Sequence, residues 1–358
     1  MIGDCLKLTS YFGERQRLDG RPLADVLLDL YERRDIATSI LLRGAVGFGL
    51  KQHLRTDRLL TLSEDLPIVT VAVDERHRIE ELAEEVIALK RTGLLTLERA
   101  RMLTGSVGEV WLPEDPGEAT KLTVYLGRRE RVAREPAFVA VCEHLHRRGV
   151  AGASVLLGVD GTVHGLRQRA SFFGRNQDVP LMVIAVGAGE QIAHVLPELG
   201  ELLRAPLLTL ERVRICKRDG ALLDRPRELP GVDEHGLALW QKLMVYSSEQ
   251  AKHNGEPQHL AIVRRLRAGG FRGATVLRGI WGFHGDHEPH GDRILQIRRR
   301  VPTVSIVIDT PPRITEAFAL IDELTQERGL VTSEMVPALT ALTEAQRHGG
   351  LRLARRPT

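Results

Sequence analysis

Apolar and polar positions alternate in a pattern that predicts short elements in a regular order. Residues 4–12 alternate with the two-residue period of a half-buried strand. The apolar positions of 22–34 recur at three- and four-residue spacing, which is typical of an amphipathic helix. Strands are predicted at 38–42 and 68–73, and a second helix runs from Ile79 to near Gly93. With a last strand after it, the order is β-α-β-β-α-β.

The same order occurs twice more along the chain. Lys121–Gly127 repeats Lys7–Gly13, and both Leu207–Glu211 and Leu330–Glu334 repeat Leu94–Glu98. Because repeats decide the architecture before single motifs do, we divide the chain into three copies. The copies span residues 1–106, 119–217 and 237–343, and an Arg-rich tail that we expect to be mobile follows at 344–358.

This order predicts the fold class. A β-α-β-β-α-β unit is ferredoxin-like, with an antiparallel sheet that carries both helices on one face. Val and Leu occur at both parities of the strands, so the other face must also be covered. The linkers are long enough to cross a small domain but too short to leave it free. We expect an α+β fold of three ferredoxin-like repeats in a pseudo-threefold ring, and a monomer.

Composition narrows the class of protein. The 358 residues are 43% hydrophobic and 27% charged, as in ordinary globular proteins, and the net charge of +3 is too small to indicate nucleic-acid binding. The three cysteines, Cys5, Cys142 and Cys216, form no CxxC pair, so neither a disulfide framework nor a zinc knuckle is predicted. No secretory signal or membrane-spanning run is apparent, and we expect a cytoplasmic protein.

A glycine-rich motif occurs in full in the first and third copies and only in part in the second. Arg-Gly-x-x-Gly-Phe begins at Arg43 in the first copy and at Arg278 in the third. A long loop follows each and ends at Pro67 or Pro302, at the same distance from the motif. The second copy keeps only the two glycines and the proline, as Gly158, Gly161 and Pro180. The equal loop lengths indicate a geometric constraint.

Two interpretations of this motif stay open. Backbone N–H groups beside a guanidinium suit a phosphate or carboxylate, although no Gly-Lys-Ser/Thr follows as in a P-loop. Alternatively, the glycines serve tight turns, the Phe anchors the loop and each Arg pairs with a carboxylate. The candidate ligand-binding residues are Arg43, Gly44, Gly47, Phe48, Gly49, Arg278, Gly279, Gly282 and Phe283.

The two long loops, at 44–66 and 279–301, are basic. A solvated loop face and a docking surface for an acidic partner both fit this composition, whereas nucleic-acid binding lacks interleaved aromatic residues. The candidate partner-binding residues are Lys51, His53, Arg55, Arg58, Arg293, Arg298, Arg299 and Arg300.

Metal and enzyme sites have little support. His284, His287 and His290 could bind a divalent ion, but their spacing matches no established zinc pattern. An incidental cluster is the alternative. Cys142 falls on a buried helix stripe, where a thiol usually packs as a small apolar group. Since no Ser-His-Asp context occurs either, we expect that the protein is not an enzyme.

The motifs together resemble a known family. Leu42–Gly49, Leu62–Val69 and Gly93–Glu98 resemble the PII-like family called domain of unknown function 190. The third copy retains Leu277–Phe283 and Gly329–Glu334 but has Arg298-Arg299-Arg300 in place of Ser-Glu-Asp. The resemblance implies a trimer fused into one chain, an intramolecular pseudotrimer.

The resemblance also implies a function. PII-like relatives sense small molecules in clefts between subunits and contact partners through a long loop, and this branch is often linked with fluoride-exporting membrane channels. We therefore expect a signal-transduction protein that binds a small anionic ligand in inter-repeat clefts, with an adenine nucleotide as the first candidate. The alternative is a ligand-free interaction protein that docks on a membrane transporter, such as a fluoride channel, or on another partner.

Overall fold

The computed structural model describes residues 2–56, 65–105, 110, 112, 118–163, 165–169, 179–284, 290–291 and 301–357. Within these ranges the first copy has two helices and seven strands. They are β1 (Ile2–Gly13), β2 (Arg17–Leu18), β3 (Arg21–Pro22), α1 (Leu23–Arg33), β4 (Thr38–Phe48), β5 (Arg55–Thr56), β6 (Pro67–Glu75), α2 (Arg76–Leu89) and β7 (Gly93–Thr104).

The other two copies follow with similar elements. The second has β8 (Glu118–Gly127), β9 (Arg131–Val132), β10 (Glu135–Pro136), α3 (Ala137–Arg147), β11 (Gly152–Leu157), β12 (Asp160–Val163), β13 (Leu166–Arg169), β14 (Pro180–Gly187), α4 (Gly189–Leu202), β15 (Leu207–Arg218) and β16 (Ala221–Leu222). The third copy and the tail have β17 (Trp240–Ser248), β18 (Lys252–His253), β19 (Glu256–Pro257), α5 (Gln258–Ala268), β20 (Ala274–Arg278), β21 (Trp281–His284), β22 (His290–Gly291), β23 (Pro302–Asp309), α6 (Pro311–Leu324), β24 (Leu330–Val336), β25 (Ala338–Leu342) and β26 (Arg347–Gly350).

Strand pairing continues from copy to copy. The end of β7 pairs with the start of β15, the end of β15 pairs with β24, and β25 pairs back with the start of β7. A second set of pairings joins the same copies, because β4 bonds to β20, β21 to β11 and β12 to β4. The antiparallel sheet therefore runs through all three copies and closes on itself.

The predicted fold class, an α+β set of three ferredoxin-like repeats in a pseudo-threefold ring, is wrong. The structure is mainly β: one antiparallel sheet of 20 strands includes a closed nine-strand barrel, and the described part of the chain has six helices. The physical reason lies in the strand edges. Hydrophobic periodicity locates strands but does not report which edges bond, and here edges of each copy bond to the neighbouring copies.

The sheet is buried on both faces. Each pair of helices covers the outer face of its own copy; α1, for example, buries Leu27, Leu28 and Tyr31 against the strands. A central cluster, to which Val71, Ile184 and Ile306 belong, draws residues from all three copies. Strand β6 is accordingly buried from Pro67 to Asp74. No helix in the described ranges is long and apolar enough to cross a membrane.

The tail, which we expected to be mobile, is packed. Strand β26 pairs with β25, and Ala354 is fully buried. The Ala354 N–H donates to the Pro337 carbonyl at 2.8 Å, and the Arg99 guanidinium donates to the Ala354 carbonyl at 2.8 Å. Backbone hydrogen bonding therefore decides the tail's position in spite of its Arg-rich composition.

Six charged side chains lie buried where the three copies meet. We call Lys7, Lys121, Lys242, Glu98, Glu211 and Glu334 the charge cluster. Each lysine contacts the glutamate of its own copy and that of the next: Lys7 bonds Glu98 at 3.0 Å and also Glu211. The same holds for Lys121 with Glu211 and Glu334, and for Lys242 with Glu334 and Glu98. The contacts therefore pass through all three copies and return to the first.

Opposite charges in the cluster favour the ionised forms of Glu98 and Lys242. Burial alone would raise the pKa of Glu98, but the adjacent Lys242 and Lys7 ammonium groups outweigh burial and hold that pKa well below its usual range. Burial would likewise lower the pKa of Lys242, and the Glu334 and Glu98 carboxylates instead raise it. A carboxylate or ammonium left here without partners would be very costly.

Replacing one lysine of the cluster should therefore destabilise the whole chain. Lys242→Met keeps a side chain of similar length but leaves Glu98 and Glu334 each without one ammonium partner. We expect the free energy of unfolding in urea to fall by about 3–5 kcal/mol. The matched control is Lys252→Met on the exposed strand β18, which should change it by less than about 0.5 kcal/mol. Equal losses in the two variants would contradict a joining role for the cluster.

Candidate functional site

A cavity of about 400 Å³ lies between the first and third copies. The first copy contributes the end of β1 and the segment after β4, and the third copy contributes the residues before β20 and parts of β23 and β25. Its apolar lining residues include Phe12, Phe48, Leu50, Leu94, Ile306, Ile308, Leu339 and Leu342. Cavities of this size usually hold small molecules.

The charged lining of this cavity is mainly basic. Arg15, Lys51, His53, Arg55 and Arg272 line it, against two carboxylates, Asp65 and Glu344. With the histidine neutral, four cations face two anions, so the lining carries a surplus of positive charge. An anionic group would be favoured in such a setting.

Several of these cations already have partners. Arg55 contacts Asp65 at 2.9 Å, Lys51 contacts Glu344 at 2.8 Å, and Arg272 lies 3.4 Å from Asp309. The Arg15 backbone N–H donates to Asp65 at 2.7 Å, while in the described part of the chain its side chain makes no ion pair. Arg15 is therefore the cation best placed to meet an incoming anion.

The predicted loop residues of the first copy lie partly in this cavity. Phe48, Gly49, Lys51, His53 and Arg55 all line it. The other predicted partner-binding residues, Arg58, Arg293, Arg298, Arg299 and Arg300, lie outside the described residues, as does His287. Among the predicted metal ligands, the His284 ring contacts the Ser247 carbonyl at 3.2 Å.

The two motif arginines do not line the cavity. Arg43 pairs with Glu14 at 2.9 Å, and Arg278 pairs with Glu249 at 2.9 Å. Both ion pairs join a motif to the end of the first strand of its own copy. The arrangement agrees with the second interpretation of the sequence, in which each Arg pairs with a carboxylate.

The motif glycines allow strands of different copies to approach closely. A Cβ on Gly47 would lie 2.6 Å from the Ala274 carbonyl oxygen of the third copy. A Cβ on Gly279 would lie 2.7 Å from the Val155 carbonyl oxygen of the second copy, and one on Gly282 would overlap that of Ala153. Gly161 similarly approaches the Ser39 carbonyl of the first copy. The same use of glycine at three junctions explains why the second copy keeps its two glycines.

The prolines and phenylalanines of the motif complete these junctions. A Cβ on Gly44 would lie 2.5 Å from the Pro67 ring, and one on Gly279 would lie 2.7 Å from the Pro302 ring. Phe48 and Phe283 are buried in the cores of the third and second copies. Most of the motif therefore packs copies together, and only Phe48 and Gly49 reach the cavity.

Sequence reasoning missed three residues at this site. Arg15, Arg272 and Lys90 lie at the cavity or directly behind its wall, but none belongs to a repeated motif. A signal was available for Lys90, because the residue after the second helix is Lys90, Leu203 and Thr325 in the three copies. A lysine at a position that is otherwise filled by buried uncharged residues marks a difference between copies.

Lys90 is buried without a carboxylate partner among the described residues. Its amine donates to the Ser10 hydroxyl and to the Tyr11 and Leu94 carbonyls, and it lies 5.0 Å from the centre of the Phe12 ring. Burial lowers the pKa of Lys90 to about 7. The amine can therefore change its charge near neutral pH.

The three cysteines and the glutamates of the charge cluster are buried. Burial raises the pKa of the Cys5 and Cys216 thiols to about 12, and Cys142 is fully buried in the core of the second copy. The carboxylates of Glu98, Glu211 and Glu334 lie within 4.8 Å of one another, a spacing that could hold a metal ion. Each of them, however, is bonded to two lysines, which a cation would have to displace.

Comparison with known proteins identifies the repeated domain. The family model of DUF190, described as an uncharacterized ACR, matches residues 5–102, 119–215 and 240–338. A "UPF0166 protein" of Aquifex aeolicus (strain VF5) is 29% identical over 97 residues, which are 27% of this chain and 90% of that protein. The match confirms that the domain occurs in three tandem copies, as the resemblance implied.

One solved structure aligns with much of this chain but differs from it in fold. CrmK, a flavoenzyme involved in shunt product recycling in caerulomycin biosynthesis, aligns with 88% of this chain and 66% of its own. The identity is 16% and the TM-score is 0.19, so neither fold nor chemistry follows from it.

The glycine junctions can be tested by adding one methyl group. Gly47→Ala would force the strands β4 and β20 apart, because its Cβ would lie 2.6 Å from the Ala274 carbonyl oxygen. We expect a loss of about 1–3 kcal/mol in the free energy of unfolding. Gly231→Ala is the control, since its Cβ would meet nothing within 4 Å. If both variants unfold at the same denaturant concentration, close packing is not the reason for Gly47.

The buried amine should give stability a particular pH dependence. With a pKa near 7 in the folded protein and about 10.4 in the unfolded chain, Lys90 holds fewer protons when folded, so stability should rise with pH between these values. The rise is at most about 1.4 kcal/mol per pH unit. Urea unfolding at about pH 7.5 and 9 should show this rise in the natural protein and a smaller one in Lys90→Leu, which copies Leu203. Identical slopes would show that Lys90 is charged when folded.

Proposed function

We propose that this chain, which belongs to the DUF190 family and carries that domain three times in tandem, is a binding protein with a PII-like regulatory role. The ligand is a small anionic molecule held in the cavity between the first and third copies. The observation that carries this proposal is the basic lining of that cavity, to which Arg15, Lys51, Arg55 and Arg272 contribute. We propose binding and not catalysis as the activity of this site.

The lining supports a ligand with two chemically different parts. Apolar side chains such as Phe48, Leu94 and Ile306 suit a flat or apolar group, and the arginines suit a phosphate or carboxylate. An adenine nucleotide combines both and is the first candidate. In the second copy, Leu157 and Thr162 stand where the motif has Arg43 and Phe48, and we propose no equivalent site there.

A relay to a partner follows from the same segment. Gly49, Lys51, His53 and Arg55 belong to the loop at 44–66, so a ligand in the cavity contacts the loop that we propose as the partner-binding surface. Ligand binding changes the preference of such a loop between conformations only if the ligand binds them with different affinity. We propose an acidic partner surface, such as that of a membrane channel or another regulator, because the loop is basic.

A specific observation favours the ligand-free alternative. Arg43 and Arg278 pair with Glu14 and Glu249, and the motif glycines pack strands, so the repeated motif needs no ligand to explain it. On this alternative the chain is an interaction protein only, and its cavity stays without a ligand. Ligand titration separates the two functions.

Calorimetric titration with ATP, ADP, AMP and cyclic nucleotides tests the proposed site. We expect at least one nucleotide to bind, and Arg15→Ala to weaken that binding about tenfold, since it removes one cation from the lining. The control is Arg129→Ala, because Arg129 stands at the equivalent position of the second copy and does not line the cavity. No heat with any nucleotide at millimolar concentration would favour the interaction protein.

A further inference from the structure

Lys90 is a buried lysine that does not belong to the charge cluster. It follows α2, is 5% exposed, and its three hydrogen-bond acceptors are uncharged: the Ser10 hydroxyl and two backbone carbonyls. The lysines of the charge cluster, in contrast, each contact two carboxylates. A buried ammonium without an anion is destabilising, so packing alone does not account for a lysine here.

The amine lies directly behind the wall of the cavity. Tyr11 and Leu94, whose carbonyls accept its hydrogen bonds, both line the cavity, and so does Phe12, whose ring the amine faces. Gly93 also lines the cavity, and a Cβ there would lie 3.2 Å from the amine nitrogen. Four lining residues therefore contact the lysine or lie beside it.

The other copies show that the position does not require a lysine. Leu203 and Thr325 follow the corresponding helices α4 and α6, and both are buried. The lysine occurs only in the copy whose first strand and loop form the basic cavity. The free-energy cost of burying this amine is therefore confined to the copy whose residues line the candidate site.

Among the described residues, few charged or titratable groups surround Lys90. On β1 the neighbouring group is the Tyr11 phenol, which burial keeps neutral by raising its pKa. On β7 the neighbours are Gly93 and Leu94, and next to Lys90 itself Arg91 is exposed. Across the wall, the cavity presents the cation Arg15 and the carboxylate Asp65, which Arg55 already contacts. None of these supplies an anion to Lys90.

We propose that Lys90 couples occupation of the cavity to the uptake of one proton. When an anionic group enters the cavity, the neutral amine takes a proton from solvent and becomes an ammonium, whose charge the bound anion stabilises through the wall. The proton is released when the anion leaves, and no other bond forms or breaks. The inference rests on the proposed anion site and adds its regulation: the site binds more strongly at lower pH.

The test combines two probes with one spectroscopic signal. The titration of the Lys90 side chain is followed by NMR of lysine labelled at the terminal carbon and nitrogen, with and without ATP or inorganic pyrophosphate at constant ionic strength. We expect the midpoint to move upward by about one pH unit or more when either anion binds. Pyrophosphate lacks a base, so its effect isolates the anionic part of the ligand.

Affinity gives a second, independent readout. Between about pH 7.5 and 9, above the range in which imidazoles usually titrate, binding should weaken as pH rises, in total by at most about tenfold for each pH unit by which the Lys90 midpoint moves. The variant Lys90→Leu, which has the residue found at this position in the second copy, should bind the anion with nearly constant affinity over this range. Calorimetry in buffers of different ionisation enthalpy should show proton uptake in the natural protein and none in the variant.

The outcomes separate the two proposals. Binding of an anion without movement of the Lys90 midpoint, or with equal pH dependence in Lys90→Leu, overturns the coupling and leaves the binding site standing. Failure of ATP, ADP, AMP and pyrophosphate to bind at any pH overturns both. A Lys90 amine that stays charged up to about pH 10 in the anion-free protein also overturns the coupling.

Discussion

The charge cluster is the constraint on which the arrangement of the three copies depends. Three lysines and three glutamates lie buried between the copies, and each lysine contacts carboxylates from two copies. Ions in an apolar interior are tolerated only when every charge has partners, so a copy cannot shift without leaving a charge exposed to that penalty. The cluster thereby fixes the relative positions of the strands β1, β8 and β17, on which its lysines lie.

The glycine junctions lie at the second set of strand pairings between the copies, where β4 bonds to β20, β21 to β11 and β12 to β4. At each of them a residue without a side chain lets a strand pass close to the carbonyls of the neighbouring copy. The ion pairs of the charge cluster and the close backbone approach at these glycines thus join the same pairs of copies. Because both devices occur three times, the junctions are similar, and differences between them arise from side chains that are not repeated.

The candidate site lies at a junction where residues of the copies differ. The junction of the first and third copies contains Arg15, Arg55 and Arg272 in the wall of its cavity and Lys90 behind it. The repeated residues form the framework, and the candidate site lies where the copies differ. Between the first and second copies, for example, Arg167 bonds Asp160 at 2.9 Å and also contacts Asp29 and Glu32, so charges there satisfy one another.

The three copies, the family, and most helices and strands could be predicted from the amino-acid sequence. Helix α1 differs from its predicted range by one residue at each end. These features are local, because a 3.6-residue or two-residue period is written in neighbouring residues. The basic loop residues Lys51, His53 and Arg55 were also recognised from the sequence, although their place in a cavity was not.

The closed sheet, the charge cluster and the cavity arise from contacts between residues that are far apart in the chain. Lys7 and Glu211 are 204 residues apart, and Gly47 meets Ala274 across two copies. Periodicity cannot report such pairs, because hydrogen bonds between strand edges and contacts between buried charges depend on positions in space. The fold class was therefore wrong even where the elements were right, and Lys90 became visible as a site only when its uncharged surroundings were known.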